Sequence, residues 1–409
     1  MAKIIVIGGG AAGMMAAVFA ARSGGEVTLL ERNEKLGKKV YITGKGRCNV
    51  TNDCTTDEFM REVPRNPRFL FSALNFFSPQ DMMALLEDNG CPVVVQRGRR
   101  VFPATEKASD VNRTLTRMLQ QLGVRVVLNC RVKEILQFGG RAAGVILQDG
   151  STLSADAVIL ATGGKSYPMT GSTGDGYAMA QAAGHTIVPV KGVLSAVETV
   201  ESWPCQLQGL SLRNVTMTLK KGKKTLYSEL GEMLFTHFGI SGPLTLTMSC
   251  HLPEDLSEAA VTLNLKPGLT AQQLDARLQR DFEENSRKQL SNVMPGLLPG
   301  RLAEIFPGLC GVDGGKQCCQ ITRAERETLA GFMQALPLTL RRLAPLDEAI
   351  VTRGGAAVKE INPATMESKL LPGLFLAGEV IDVDAHTGGY NLQVAWSTGA
   401  LAGQCAAEC

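Results

Sequence analysis

The sequence predicts an α/β protein in which a parallel-sheet domain is split in the chain by an inserted domain, first β-rich and then helical. Three observations predict it. The chain opens with a strand, a glycine turn, a helix and a second strand, a βαβ unit of about 30 residues. Two later buried-strand patterns, at 157–164 and 374–379, also end in glycine turns. Between them, from about 190 to 345, the texture changes to short alternating stretches and then to helical periodicity.

The first unit reads as follows. Ile4-Ile5-Val6-Ile7 is a β-branched run without alternation, as in a strand buried on both faces. Gly8 to Gly13 makes a turn. Met14 to Arg22 is rich in Ala and Met and reads as a helix, which Gly24-Gly25 ends. Glu26 to Leu30 is the second strand. Helical spacing recurs at 78–90 and 109–122, with Ser78-Pro79 and Ser109 as starts. Strand signals occupy 124–128, 132–138, 143–147 and 157–161, with Gly139-Gly140 and Asp149-Gly150 as hairpin turns.

The insert begins near 190. Residues 215–219 and 260–265 alternate as strands, and Lys220-Lys221-Gly222-Lys223 reads as a turn. Residues 270–310 have helical periodicity interrupted by Pro295, Pro299 and Pro307, and 338–342 reads as a return strand. The expected division is therefore 1–190 with 345–409 for the discontinuous domain and 191–344 for the insert. The insert is expected to be β-rich over 191–265 and 320–344 and helical over 266–319. No internal repeat is evident.

Composition excludes several classes. The chain has 409 residues, room for two or three domains at about 150 residues each. Lys and Arg number 42 against 39 Asp and Glu, a formal charge of +3, too balanced for a polybasic protein. A hydrophobic share of 44% excludes global disorder. Eleven cysteines, an odd number without framework spacing, point to a reducing compartment, and a cytoplasmic location is expected. No apolar run is long enough to span a membrane, and Gly8-Gly9-Gly10 interrupts any signal-peptide pattern. Cys318-Cys319 is adjacent rather than a metal-binding spacing, so no metal is expected. The 44 glycines are far above the usual share of about 7% and announce tight turns and close backbone–ligand contacts.

Gly8-Gly9-Gly10-Ala11-Ala12-Gly13 fits G-x-G-x-x-G. It follows a buried strand, opens a helix, and precedes an acid, Glu31, at the end of the second strand. In this Rossmann-type setting Gly8 makes the turn, Gly10 admits a pyrophosphate to the backbone, and Gly13 lets helix and strand pack closely. The helix start offers N–H groups to the phosphates. Glu31 would accept from ribose hydroxyls, with Arg32 beside it. NAD and FAD both satisfy this motif.

The later motifs favour FAD. Thr162-Gly163-Gly164 ends one strand, and Gly378-Glu379 ends another with an acid. The pair resembles flavoproteins of the glutathione-reductase type, where such an acid meets the ribityl chain. Ser172-Thr173-Gly174-Asp175-Gly176 resembles a turn of fumarate-reductase-type flavoproteins. No second G-x-G-x-x-G follows a strand, so no separate NAD(P) domain is expected. Gly37-Lys38-Lys39 and the run Thr43 to Asn52 (TGKGRCNVTN) then resemble the YhiN/BaiN-type flavoproteins, as do residues 234–243, 378–382 and 388–393. Lys45 departs from that pattern, in which glycine is common. The resemblance spans nearly the whole chain. It implies an FAD-dependent oxidoreductase, with reduction of a bile-acid enone and of a ribosomal-RNA uridine among the family's proposed activities.

The resemblance implies a cofactor set of Gly8, Gly10, Ala11, Ala12, Gly13, Glu31, Arg32, Lys39, Thr43, Gly44, Gly46, Arg47, Cys48 and Asn49. Val132, Thr162, Gly163, Gly164 and Asp175 join it. So do Gly378, Glu379, Asp382, Gly389, Tyr390, Asn391 and Leu392. Lys39 and Arg47 would bind the pyrophosphate or hold charge on the reduced flavin. Asn49 and Asn391 would meet the ring edge or cap turns. Cys48, His237, His386 and Tyr390 are the candidate proton donors. Arg97, Arg99 and Arg100, the lysines Lys220, Lys221, Lys223 and Lys224, and Arg341-Arg342 form basic clusters that would suit RNA phosphates. An aromatic share of 5% disfavours broad stacking on single strands. The expected reaction is hydride transfer from flavin N5 to a conjugated C=C bond, with NAD(P)H as reductant. The expected substrate is an rRNA uridine. A steroid enone is the alternative substrate, and a non-catalytic flavin redox sensor the alternative of another class.

Overall fold

The β-branched run at the N-terminus becomes strand Lys3–Ile7, the centre of a five-stranded parallel sheet. The strand order is Leu374–Leu376, Ala157–Leu160, Lys3–Ile7, Glu26–Leu30, Arg125–Val127. Val6 lies opposite Ile159 on one side and Leu29 on the other. Every residue of Ala157–Leu160 and of Leu374–Leu376 is buried, which explains their unbroken apolar texture. The computed structural model describes residues Met1–Cys409. They divide into a unit of Met1–Val193 with Pro345–Cys409 and a second of Leu194–Ala344.

In the first unit, helix Ala11–Arg22 packs on helix Tyr390–Ala406. Small residues set their distance. A Cβ at Gly399 would lie 2.3 Å from the Ala12 carbonyl oxygen, and one at Gly403 would lie 2.2 Å from that of Ala16. Helix Pro79–Asp88 starts at a Ser78–Asp81 capping box. Helix Ala108–Gln121 starts one residue before the Ser109 expected to open it. The hairpin of Val132–Phe138 and Arg141–Leu147 turns at Gly139 and Gly140, both at positive φ. The Arg97–Arg99 turn leads into Arg100–Pro103, the middle strand of a small antiparallel sheet with Thr51–Asn52 and Val93–Gln96. Short helices at Lys38–Ile42, Thr56–Arg61 and Phe71–Phe76 escaped the periodicity reading, since one or two turns carry too few apolar repeats.

The second unit is a closed antiparallel barrel. Its strands run Val197–Thr199, Gly239–Ser241, Lys224–Phe235, Ser211–Lys221, Ala259–Asn264 and Leu336–Leu343 in order around the barrel. Leu212, Val215, Met217 and Leu219 are buried while most of the residues between them are not, the alternation of a one-sided strand. The lysine-rich segment is a hairpin tip, with Lys221 paired to Lys224 across Gly222 and Lys223. One expectation is corrected. Residues 320–344 are not simply β-rich, because Thr322 and Glu325 form a capping box that starts helix Arg323–Gln334 ahead of the last strand. All eleven cysteines are free, and no helix is long and apolar enough to cross a membrane.

The helix pair yields a prediction. Gly403→Val should place a branched side chain against the Ala16 carbonyl, costing at least the ~1–3 kcal/mol of an overpacked core. Thermal melting should show a clear drop. An unchanged melting temperature would mean that the two helices are not in this contact.

Candidate functional site

The glycine turn after Lys3–Ile7 forms one wall of a cleft at the carboxyl ends of the parallel strands. Each glycine is required for a different reason. Gly8 has φ +102°, and a Cβ there would lie 2.6 Å from the Ala161 carbonyl oxygen. A Cβ at Gly13 would lie 1.7 Å from the Gly8 carbonyl oxygen. Gly10 is different: its φ is −81°, and a Cβ there would meet nothing within 4 Å. Neither backbone nor neighbours demand a glycine there, so the space above it suits a ligand. Gly10 is also the N-cap of helix Ala11–Arg22, without any side-chain cap, which leaves the helix's first N–H groups to a phosphate. The cleft-lining Thr162 adds a buried hydroxyl with no hydrogen-bond partner. These features fit a dinucleotide.

Charged side chains in the cleft are held by the protein. Glu31 is 7% exposed. Its Oε2 accepts from Gly9 N at 2.7 Å, and its Oε1 accepts from Asn33 N at 2.8 Å and Asn33 Nδ2 at 2.7 Å. Oε2 keeps a lone pair for a ribose hydroxyl. Asp175 accepts from Arg32 at 3.1 Å and Arg131 at 3.0 Å, while Arg32 also donates to Thr173 Oγ1 at 2.6 Å. Lys39 Nζ lies 2.9 Å from Glu379 Oε2 and donates to Ser166 Oγ at 2.7 Å. Thr352 N donates to Glu379 Oε1 at 2.7 Å. Gly164 belongs to this junction, since a Cβ there would lie 2.5 Å from Thr352 Oγ1.

The expected cofactor residues fall into two groups. Gly8, Gly10, Ala11, Ala12, Glu31, Arg32, Lys39, Thr43, Val132, Thr162, Gly163, Asp175, Glu379, Asn391 and Leu392 line the cleft. Gly13, Gly44, Gly46, Arg47, Cys48, Asn49, Gly164, Gly378, Asp382, Gly389 and Tyr390 do not. Several of these have evident structural roles instead. Arg47 pairs with Glu106 at 3.1 Å and covers the Phe102 ring at 4.4 Å, so its charge is not aimed at a pyrophosphate. Asp382, 3% exposed, is held by Arg65 and Asn66. Gly378 packs on Ala12, and Gly389 on the Thr51 carbonyl. Cleft residues missed from the sequence include Lys38, within the Gly37-Lys38-Lys39 motif, and Asn33, Arg131 and Val383, which carry no motif of their own.

The second half of the TGKGRCNVTN run serves as a clasp. Trp396 Nε1 donates to Val50 O at 2.9 Å, and Thr51 Oγ1 donates to Gln393 Oε1 at 2.7 Å. Asn52 Nδ2 donates to both Gly98 O and Gly388 O, at 3.0 and 3.1 Å. The segment thereby fixes the Thr43–Gly46 turn against the C-terminal helix. Asn49 Oδ1 is buried there without a partner.

The four proton-donor candidates differ sharply. Cys48 is fully buried, and burial pushes its thiol up to about 12, which removes it as an acid at neutral pH. His237 is exposed in the second unit, edge-on to Phe238. Tyr390 packs edge-on against Phe59, with its hydroxyl pushed up by burial. His386 Nδ1 lies 3.0 Å from Glu62 Oε2. Among the basic residues, Arg99 is paired with Glu58 at 2.7 Å and Arg342 with Glu198 at 2.7 Å, while Arg100 Nε donates to Arg97 O. Lys220, Lys223 and Lys224 are exposed at their hairpin tip.

Comparison with known proteins gives a consistent picture. A family model described as the HI0933-like protein Rossmann domain matches residues 2–405. The 3-dehydro-bile acid delta(4,6)-reductase of Clostridium scindens is 33% identical over 413 residues, covering 100% of both chains. The ribosomal RNA dihydrouridine synthase of Haemophilus influenzae is 30% identical over 96% of each chain. That of Escherichia coli is 29% identical over 96% of this chain and 95% of the other. Among solved structures, the E. coli quinol fumarate reductase FrdA superposes with a TM-score of 0.53 at 18% identity, over 100% of this chain and 70% of the other, a likeness of fold.

Two expected outcomes follow. Gly10→Val should fold normally yet lose the cofactor, whereas Gly13→Val should lower the melting temperature. The check is melting together with the flavin released on denaturation, which should be FAD in the wild type. Normal flavin content in Gly10→Val would remove the cofactor from this turn. At pH 8, alkylation followed by mass mapping should label the exposed Cys319 and Cys409 and leave Cys48 a protected thiol until unfolding. Labelling of native Cys48 would contradict its burial.

Proposed function

Because the chain belongs to the HI0933-like family and is an FAD-dependent oxidoreductase, we propose that it reduces a C=C bond conjugated to a carbonyl, with a ribosomal-RNA uridine as substrate and NAD(P)H as reductant. When bound, the flavin supplies a hydride from N5. The chain's part is to hold it and to manage charge and protons. The Gly8–Gly13 turn would take the pyrophosphate, with Glu31 on the ribose and Thr162 as a further partner. Lys39, neutralised in part by Glu379, sets a local positive charge in the cleft. The N-terminus of helix Tyr390–Ala406 has no side-chain cap, and Asn391 and Leu392 of its first turn line the cleft. Its unpaired N–H groups supply partial positive charge there.

One observation carries the RNA reading. Asn52 ties the Arg97–Arg100 turn to Gly388, at the start of that same helix. This holds a basic turn to the loop that enters the helix whose Asn391 and Leu392 line the cleft, which supports a role for the turn in holding a phosphate flanking the reacting base. The lysine hairpin of the second unit carries Lys220, Lys221, Lys223 and Lys224 of its own. A second reading, a steroid enone, is favoured by the 33% identity over the full length to the bile-acid reductase. The Arg99–Glu58 pair, which offsets one of the cations, also favours it.

Salt separates the two readings. On rRNA, activity should fall with salt by roughly 0.7–0.9 log units per log unit for each phosphate contact. Charge reversal of Lys220, Lys221, Lys223 and Lys224, or Arg97→Ala with Arg99→Ala, should flatten that slope without changing flavin content. A neutral steroid enone should show almost no slope. Turnover of the steroid with no dihydrouridine formed in rRNA by mass analysis would overturn the RNA reading.

A further inference from the structure

We propose that residues 165–173 form a strap over the adenosine half of the cleft, latched by Asn33, and that this latch governs how fast FAD enters and leaves. The proposal holds whichever substrate the flavin reduces. The strap runs from the Thr162-Gly163-Gly164 turn to the start of helix Asp175–Ala182. Thr170, Gly171, Ser172 and Thr173 line the cleft beside Glu31, Arg32 and Asn33. Met169 at the tip is 90% exposed, so the strap has the cleft on one side and solvent on the other. No residue from 167 to 171 is buried. A segment with so little burial opens at low cost.

The root of the strap is fixed and its tip is not. Lys165 N and Ser166 N both donate to Thr352 Oγ1, and the buried Ser166 meets Lys39 Nζ at 2.7 Å. Beyond that root only three bonds tie the segment down. Tyr167 N donates to Asp347 O at 3.2 Å. Asn33 Nδ2 donates to Thr170 O at 3.0 Å, and Arg32 donates to Thr173 Oγ1 at 2.6 Å. Thr170 N and Gly171 N turn back on Tyr167 O and Pro168 O at 2.9 Å each, which keeps the tip itself in shape. Gly171 makes room for the latch. Its φ is +101°, and a Cβ there would lie 2.5 Å from Asn33 Nδ2.

The latch shares its support with the ribose site. Glu31 Oε1 accepts from Asn33 N at 2.8 Å and from Asn33 Nδ2 at 2.7 Å. Lys38 Nζ lies 3.4 Å from Asn33 Oδ1, so the amide is held at both ends. The carboxylate that would take a ribose hydroxyl through Oε2 therefore also aims the latch at the strap. Every group in the latch belongs to the chain. An arriving dinucleotide must wait for the strap to lift, and a bound one stays enclosed until it does. Opening then enters both the association and the dissociation rate and cancels from their ratio.

The test measures the two rates separately. Apoprotein is mixed with FAD, and binding is followed by flavin fluorescence. Release from the holoenzyme is followed with phosphodiesterase present, which cleaves free FAD and prevents rebinding. Asn33→Ala should raise both rate constants by up to about tenfold, the scale of one lost hydrogen bond, with little change in Kd. Gly171→Ala, which pushes on the latch from the strap side, should raise both as well. The double variant should add little to either, because both changes break one latch. Apoprotein melting is read first, and Asn33→Leu, which keeps the volume and loses the donor, serves if Asn33→Ala does not fold. Faster dissociation with association at the wild-type rate would overturn the proposal and make Asn33 an ordinary ligand contact. Wild-type values of both rate constants in Asn33→Ala and Gly171→Ala would overturn it equally.

Discussion

The cleft depends on one carboxylate. Glu379 accepts from the Lys39 ammonium, the Ser166 hydroxyl and the Thr352 backbone N–H. Those donors come from the short helix after the second strand, from the loop after strand Ala157–Leu160, and from a strand beyond the insert. A charge-assisted bond with further neutral donors is a strong local tie. It also acts over 340 positions of sequence, fixing the chain's return to its starting sheet. Thr352 reinforces it by accepting from both Lys165 N and Ser166 N. Together with the packing of helix Tyr390–Ala406 on helix Ala11–Arg22, this junction fixes the C-terminal wall of the cleft, with Asn391 and Leu392, relative to the glycine turn.

The same economy governs the other charges. Glu31 pins the glycine turn through Gly9 N and retains capacity for a ligand. Asp175 gathers two arginines at another part of the cleft. Asp382 and Asp384 are spent on Arg65, Asn66 and Arg353, so the loop carrying His386 is braced from both sides. A buried pair such as Arg353–Asp384 is weak evidence for stability, since desolvation offsets its attraction. Its consequence here is geometric: it leaves the loop few alternative positions.

How legible was the site in the sequence? Many of the expected cofactor residues that line the cleft have a local role. Gly8, Gly10 and Glu31 follow from one βαβ unit, and Thr162-Gly163 and Glu379 from strands that end in glycine turns. Arg47 and Asp382 belong to the same motifs but face other partners, because a motif fixes the residue and not its rotamer. Arg131 and Asn33 carry no pattern and enter the cleft only because neighbouring segments bring them there. Glu62 was equally silent: a half-buried glutamate just past a short helix meets the imidazole of His386 324 positions away only once the chain has folded.

By itself the sequence determined the βαβ start, the split parallel-sheet domain, the existence of a β-rich insert and the dinucleotide turn. All of these rest on hydrophobic period and on glycine's freedom of backbone and space, which are properties of short segments. The tertiary structure alone decided that the barrel closes, that Thr322 and Glu325 start a helix before its last strand, and that Cys48 is an inert buried thiol. It alone decided which of four candidate acids has a carboxylate at its back. Those outcomes depend on burial and on contacts between distant segments, and neither quantity exists until the chain has folded.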